Sequence, residues 1–186
     1  MSITSPTPSN GTFLALQNGI ANFLATGDPL LPILLGAGLS PHLETFTLGL
    51  QGLNTGADVQ NAGLVAWRFL AVSKTDGIIV DVTVALSHRA PMVAAVQRGP
   101  HAQTILNATL RAEKLPQVQG ANYQLALLTI PALLIESLWL KKSGPDDWII
   151  PFHTLASELH LNQPYSPDDF ITAVQPIVKR RMAHED

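Results

Sequence analysis

Leu64-Val65-Ala66-Trp67-Arg68-Phe69-Leu70-Ala71-Val72, then Ser73-Lys74-Thr75-Asp76-Gly77, then Ile78-Ile79-Val80-Asp81-Val82-Thr83-Val84-Ala85-Leu86, is the stretch that decides the fold. The two outer runs are rich in β-branched and aromatic residues, which suit a pleated, half-buried surface. The five residues between them carry hairpin turn chemistry, ending in Asp76-Gly77. Strands joined by so short a connection run antiparallel, because a parallel pair needs a crossover of a dozen residues or more.

Working outward, Phe13, Leu16, Ile20, Phe23 and Leu24 recur at helical spacing and predict a helix over 12–26, capped by Asn10 or Thr12 and stopped at Gly27. The segment 30–41 is apolar but broken by Pro32, Gly36, Gly38 and Pro41, and reads as packed irregular chain. Alternation over 42–50 predicts a strand, and 55–61 a short helical turn. The run 92–97 fits helix or strand. Pro100 opens a helix over 100–115 that Pro116 and Gly120 close. Residues 123–130 and 132–140 read as strands, or as one long strand bent at Pro131; 148–152 is a further short strand and 155–161 a brief helix. The last helix is the best marked. Ser166 caps it, Pro167 takes the first position, Asp168 and Asp169 meet the positive end of the dipole, and Lys179, Arg180 and Arg181 meet the negative end. Its apolar face is Phe170, Val174, Ile177 and Val178, and Pro176 is expected to kink it. The order helix, strands, helix, strands, helix predicts an α+β fold: a mostly antiparallel sheet of about five strands with the N-terminal, central and C-terminal helices packed on one face. Residues 1–10 read as a flexible lead-in and 11–186 as a single domain.

Charge is scarce and unevenly spread. Only 13% of the 186 residues are charged, and the net charge is −3. A nucleic-acid binder would instead present a basic stripe. Residues 1–67 hold three charges, Asp28, Glu44 and Asp58, together with nine of the thirteen glycines. So neutral a third resembles the charge-depleted centre of an interface, and predicts self-association or a protein partner there. The chain has no cysteine, which excludes a disulfide framework and a thiol nucleophile. No Lys or Arg precedes Arg68, so the positive region of a secretory signal is missing, and the most apolar window, 121–140, is interrupted by Asn122, Gln124, Pro131 and Glu136. Both point to a soluble cytoplasmic protein with neither membrane nor nucleic acid as partner.

Familiar site motifs are missing. Gly36-Ala37-Gly38 begins a dinucleotide loop but lacks its third glycine, and there is no phosphate-binding P-loop, no G-x-S-x-G elbow and no H-E-x-x-H pair. None of the six histidines, His42, His88, His101, His153, His160 and His184, stands four residues from another, so neither a metal nor a cofactor is implied. What remains is one charge in each of three apolar strands: Arg68, Asp81 and Glu136. Thr83 shares a face with Asp81, which predicts that Asp81 meets water; Arg68 and Glu136 share their faces with leucines. A four-residue loop would set Arg68 opposite Asp81, a two-residue loop would offset them on one face, and a three-residue loop would put them on opposite faces. Any of the three that is buried must be paired.

Two functions follow. The first is a non-catalytic binding or assembly module, motivated by the low charge and the lack of a nucleophile or metal signature. The second is a small enzyme using Asp81 or Glu136 in an apolar pocket wall as general acid or base on a small apolar substrate. Arg68, Trp67, Arg98 and His101 are the candidate ligand-binding residues, with Arg98 and His101 flanking the start of the central helix.

Overall fold

A computed structural model describes residues 3–24, 42–72, 79–87, 89–142 and 146–184. The irregular segment expected at 30–41, the Gly36-Ala37-Gly38 run, the hairpin turn and His88 lie outside these residues. The elements are β1 (Ile3–Thr4), α1 (Asn10–Phe23), β2 (His42–Thr47), α2 (Leu50–Asn54), a 3₁₀ turn (Val59–Asn61), β3 (Gly63–Val72), β4 (Ile79–Ala85), β5 (Met92–Arg98), α3 (Pro100–Ala112), β6 (Tyr123–Ile130), a second 3₁₀ turn (Pro131–Leu133), β7 (Ile135–Lys141), β8 (Trp148–His153) and α4 (Pro167–Met182). The fold is α+β. The strands hydrogen-bond in the order β5-β4-β3-β2-β6-β7-β8, and the printed pairings are antiparallel apart from β1, which runs parallel to β6. Eight strands among the described residues exceed the expected total of about five, or six when 123–140 is read as two strands. Two come from places where periodicity carries little information: a two-residue strand in the lead-in, and the ambiguous run that forms β5.

Contacts divide the chain into two compact units, one of Met1–Thr4, Thr45–Leu64 and Ala108–Asp186, the other of Ser5–Glu44 and Val65–Asn107. In the second unit, α1 is capped by Ser9, ahead of both expected caps, because the Ser9 hydroxyl accepts from the Thr12 amide at 3.2 Å. Leu16 and Ile20 on α1 join Trp67, Phe69, Ala71, Val80, Val82, Val84 and Val93 in one core. Each such side chain contributes about 1.5–3 kcal/mol on burial. Gly19 is what lets helix and strand close up: a Cβ there would lie 2.8 Å from the Cβ of Val93, well inside contact distance. The hairpin pairs Arg68 with Thr83, Phe69 with Val82 and Leu70 with Asp81. None of the three loop lengths considered from the sequence gives this register, which among the described residues runs as far as Val72 opposite Ile79. Arg68 and Asp81 nevertheless share a face, one diagonal step apart. That face carries Leu70, fully buried, and is reached by His101 of α3. Helices therefore serve both faces of this part of the sheet, and the expectation of helices on a single face is corrected.

In the first unit, Ala126, Leu128, Ile130, Ile135, Trp139 and Ile149 pack against Phe170, Val174, Ile177 and Val178 of α4. That helix follows its sequence signals: Ser166 accepts from the Asp169 amide at 3.2 Å, and the helix runs on through exposed Pro176 to Met182. Of the two readings of 123–140, two strands is the one that holds, and they pair as a hairpin rather than continuing as one bent strand. Pro131 starts the 3₁₀ turn, Leu134 takes a left-handed conformation with φ 53°, and Ile130 pairs with Ile135. The brief helix expected at 155–161 is absent. Tyr165 exchanges two backbone bonds with Ile149 at 2.8 and 2.9 Å, and the Asn162 amide donates to the Pro151 carbonyl at 2.7 Å, which draws this segment along β8 as turns.

The β7–β8 connection is held by Asp147, which is 2% exposed. Its carboxylate accepts from the Trp139 indole at 2.9 Å, the Lys142 amide at 2.7 Å and the Gln60 side chain at 3.4 Å. Replacing Asp147 by Ala leaves a buried indole N–H and an amide without acceptors, and is expected to cost about 3 kcal/mol in urea unfolding. Asp147→Asn keeps one acceptor oxygen and should cost about 1 kcal/mol. Equal losses in the two variants would show that packing, not hydrogen bonding, fixes this turn.

Candidate functional site

Strand alternation brings Arg68 and Asp81 together, and α3 brings the third member. Asp81 has no exposed surface, whereas the Arg68 side chain is 15% exposed. Their closest approach, Nη1 to Oδ2, is 3.5 Å. The solvent-facing reading of Asp81 is thus overturned: Thr83 shares its face, but that face is covered rather than wet. The same Nη1 lies 2.9 Å from Nε2 of His101, at the second position of α3. A guanidinium only donates, so Nε2 is the acceptor of this bond. The cluster is a carboxylate, a guanidinium and an imidazole in a row, tying β4, β3 and α3 together. The Arg68 Nε–H is buried with no hydrogen-bond partner among the described residues.

The other residues singled out from sequence are not brought to this cluster. Trp67 points from the opposite face of β3 into the core under α1, while Trp139 belongs to the core of the first unit, edge-on to Phe46 at 5.1 Å. Arg98 is exposed at the end of β5, next to Gly99 with φ 114°. Glu136 belongs to the first unit, opposite Thr129 on β6 and His153 on β8, and is half-buried. Among the described residues no three His, Asp or Glu side chains are grouped to hold a metal, and no helix is long and apolar enough to cross a membrane.

A cleft of about 290 Å³ lies elsewhere in the first unit. Ala132, Leu133 and Leu134 line it from the β6–β7 turn, Leu155 and Ala156 from the segment after β8, Ile177, Arg180 and Arg181 from the end of α4, and His184 from just beyond it. Leu134 and Leu155 are 56% and 78% exposed. Arg180 is held at the rim by Glu158, Nη2 to Oε1 at 2.6 Å, and the hydrogen bond from Arg180 keeps the Glu158 carboxyl below its ordinary range. That bond contributes at pH values above the carboxylate's unfolded value and is lost as pH falls through the lowered one. Sequence reading does not single out this cleft. Its basic rim reads as ordinary compensation of a helix C-terminus, and nothing in a Pro-Ala-Leu-Leu run announces a left-handed leucine.

The ion pair is testable by a double-mutant cycle. Arg68→Met takes the guanidinium from a fully buried carboxylate and is expected to cost about 3–5 kcal/mol in chemical denaturation. Arg68→Met with Asp81→Leu removes both charges and should recover much of that loss, giving a coupling of about 1–3 kcal/mol. Additive losses would mean that the two side chains act independently.

No known family model, curated protein or solved structure matches the chain.

Proposed function

We propose that the protein is a non-catalytic binding module whose ligand seat is the cleft between the β6–β7 turn, the segment after β8 and the end of α4. The observation that carries this reading is Leu134. A non-glycine residue in the left-handed region costs about 1–2 kcal/mol, and this one returns little of it by burial, being 56% exposed. A strained and exposed apolar side chain at the mouth of a cleft is accounted for by what it meets there rather than by the fold. The enzyme reading draws less support. Asp81 has no exposed surface and faces Arg68, and neither Asp81 nor Glu136 lines the cleft.

Assembly is the second part of the proposal, with a further copy of the chain meeting the neutral N-terminal third at α1. This helix has no charged residue, and Leu14 on it is exposed. The sheet edges are poorer candidates. Residue Ala94 is an extra residue in β5 relative to β4, and a bulge of this kind blunts an edge strand; β8 is bridged by Tyr165.

Amide NMR of the uniformly labelled chain, titrated with a small-fragment library, is expected to give shifts clustered at 132–134, 155–156 and 177–184. Shifts clustered instead at Arg68, Asp81 and His101 would transfer the reading to the enzyme alternative. Leu134→Gly relieves the left-handed strain at some cost in unfolded-chain entropy, and should leave stability within about 0.5 kcal/mol of the parent or above it while weakening the fragments. A loss of several kcal/mol would make Leu134 a structural residue and remove the observation. Sedimentation velocity is expected to show a dimer that Leu14→Lys dissociates; a monomer at high concentration removes the assembly part.

A further inference from the structure

We propose that Glu158 and Arg180 form an ionic strap across the cleft, positioning the wall made by Leu155 and Ala156 against α4 so that a ligand meets a preformed seat. This inference rests on the cleft being the ligand seat. What carries it is how little else ties that wall down. Strand β8 ends at His153, and the next backbone hydrogen bond from the segment to another element is that of the Asn162 amide to the Pro151 carbonyl. Among the described residues, Leu155, Ala156, Ser157 and Glu158 exchange no backbone hydrogen bond with another element. Leu155 is exposed, and Ala156 is only partly buried against the core of this unit. Leu159, 4% exposed, pins the far end in that core. Over 155–158 the one polar side-chain tie to another element, among the described residues, is Glu158 Oε1 to Arg180 Nη2 at 2.6 Å.

The tie spans the cleft itself. Ile177 and Arg180, one helical turn apart on α4, line it on one side, and Leu155 and Ala156, just ahead of Glu158, line it on another. A charge-assisted bond between guanidinium and carboxylate thus sets the distance between two walls. Arg180 is the charged group that meets Glu158. Arg181, which has an interaction of its own, and His184 stand further along the α4 wall, and His160 follows in the segment itself. The hydrogen bond from Arg180 keeps the Glu158 carboxyl below its ordinary range, so the strap stays charged in neutral and mildly acid solution. An exposed ion pair adds little to global stability, because water and salt screen it. In a short span with no competing bonds, however, a small local contribution decides whether the chain stays in place. A wall already in place spares a ligand the entropy of ordering it.

Nitrogen-15 relaxation of the labelled full chain tests the strap in the parent, in Glu158→Gln, in Arg180→Gln and in the charge swap that joins Glu158→Arg with Arg180→Glu. In the parent the amides of 155–158 are expected to be as rigid as those of β8, with order parameters of about 0.85, and to fall toward about 0.6 in either single variant. The swap should restore most of that order. Arg180→Gln should also return the Glu158 carboxyl, followed by its carbon-13 shift, to the ordinary glutamate range. Library fragments that shift the cleft amides should bind each single variant about two- to fivefold more weakly, and the swap about as well as the parent. Amides of 155–158 that are already mobile in the parent, or that neither single variant loosens, overturn the strap and leave the cleft as a ligand seat. So does a swap that restores nothing, or a loss of order spread evenly over β7, β8 and α4. Fragments held equally by all four proteins overturn its role in binding. Order parameters that respond as expected, with no fragment bound by the parent, overturn the cleft as a ligand seat and the proposal with it.

Discussion

A carboxylate with no exposed surface constrains everything around it. Asp81 sits in β4, and its cation is one diagonal step away on β3 because Leu70, not Arg68, is its register partner. Side chains alternate along a strand, so a slip of one residue would carry the whole set across. Asp81 would then enter the core formed by Leu16, Ile20 and Phe69, and the valines of β4 would leave it. A buried ion pair need not add net stability over an apolar pair of similar volume. Its effect here is to make the wrong register costly by several kcal/mol, because slippage isolates a charge in a dry face. Arg68 transmits the constraint to α3, since His101 accepts from the same guanidinium nitrogen. One carboxylate thereby fixes the β3–β4 register, the face α1 covers and the point where α3 begins.

Where local chemistry suffices, the sequence is legible. Ser166-Pro167-Asp168-Asp169 with Phe170, Val174, Ile177 and Val178 specifies α4 from its cap to its buried stripe. The runs flanking Ser73–Gly77 specify β3 and β4 for the same reason. The burial of Asp81 is not legible. Alternation separates two faces but does not say whether a second layer covers the second one, and Thr83 beside Asp81 imitates a wet face. The layer comes from α3, whose first turn lies roughly twenty residues downstream of Asp81. The β6–β7 turn is hidden for a different reason. Pro131-Ala132-Leu133-Leu134 contains no Gly, Asn or Asp, so a four-residue hairpin loop looks like continuing strand.

Tertiary bonds account for the remaining departure. Residues 155–161 have the composition of a short helix, but seven residues form too weak a helix to persist against competing contacts. The bonds of Tyr165 and Asn162 to β8 offer such contacts, and the segment follows them. Leu155 is left projecting into solvent as a consequence, beside a turn that leaves Leu134 projecting too. The cleft thus arises where a local hairpin turn that carries no turn residues meets a segment drawn along β8 by tertiary bonds, which is why no single stretch of sequence contains it.

These two groups of unusual residues differ in what explains them. Arg68, Asp81 and His101 look like catalytic machinery when read as isolated charges, yet their geometry is what register and helix docking require. Leu134 and Leu155 look unremarkable in sequence, yet the fold gives no return for exposing them. A left-handed glycine would close the same turn without strain, and a polar residue at 155 would hydrate freely. Side chains that the fold would be no worse without are the ones whose presence calls for a ligand. That criterion is why the proposed ligand seat is the cleft at the end of α4 and not the buried charge cluster.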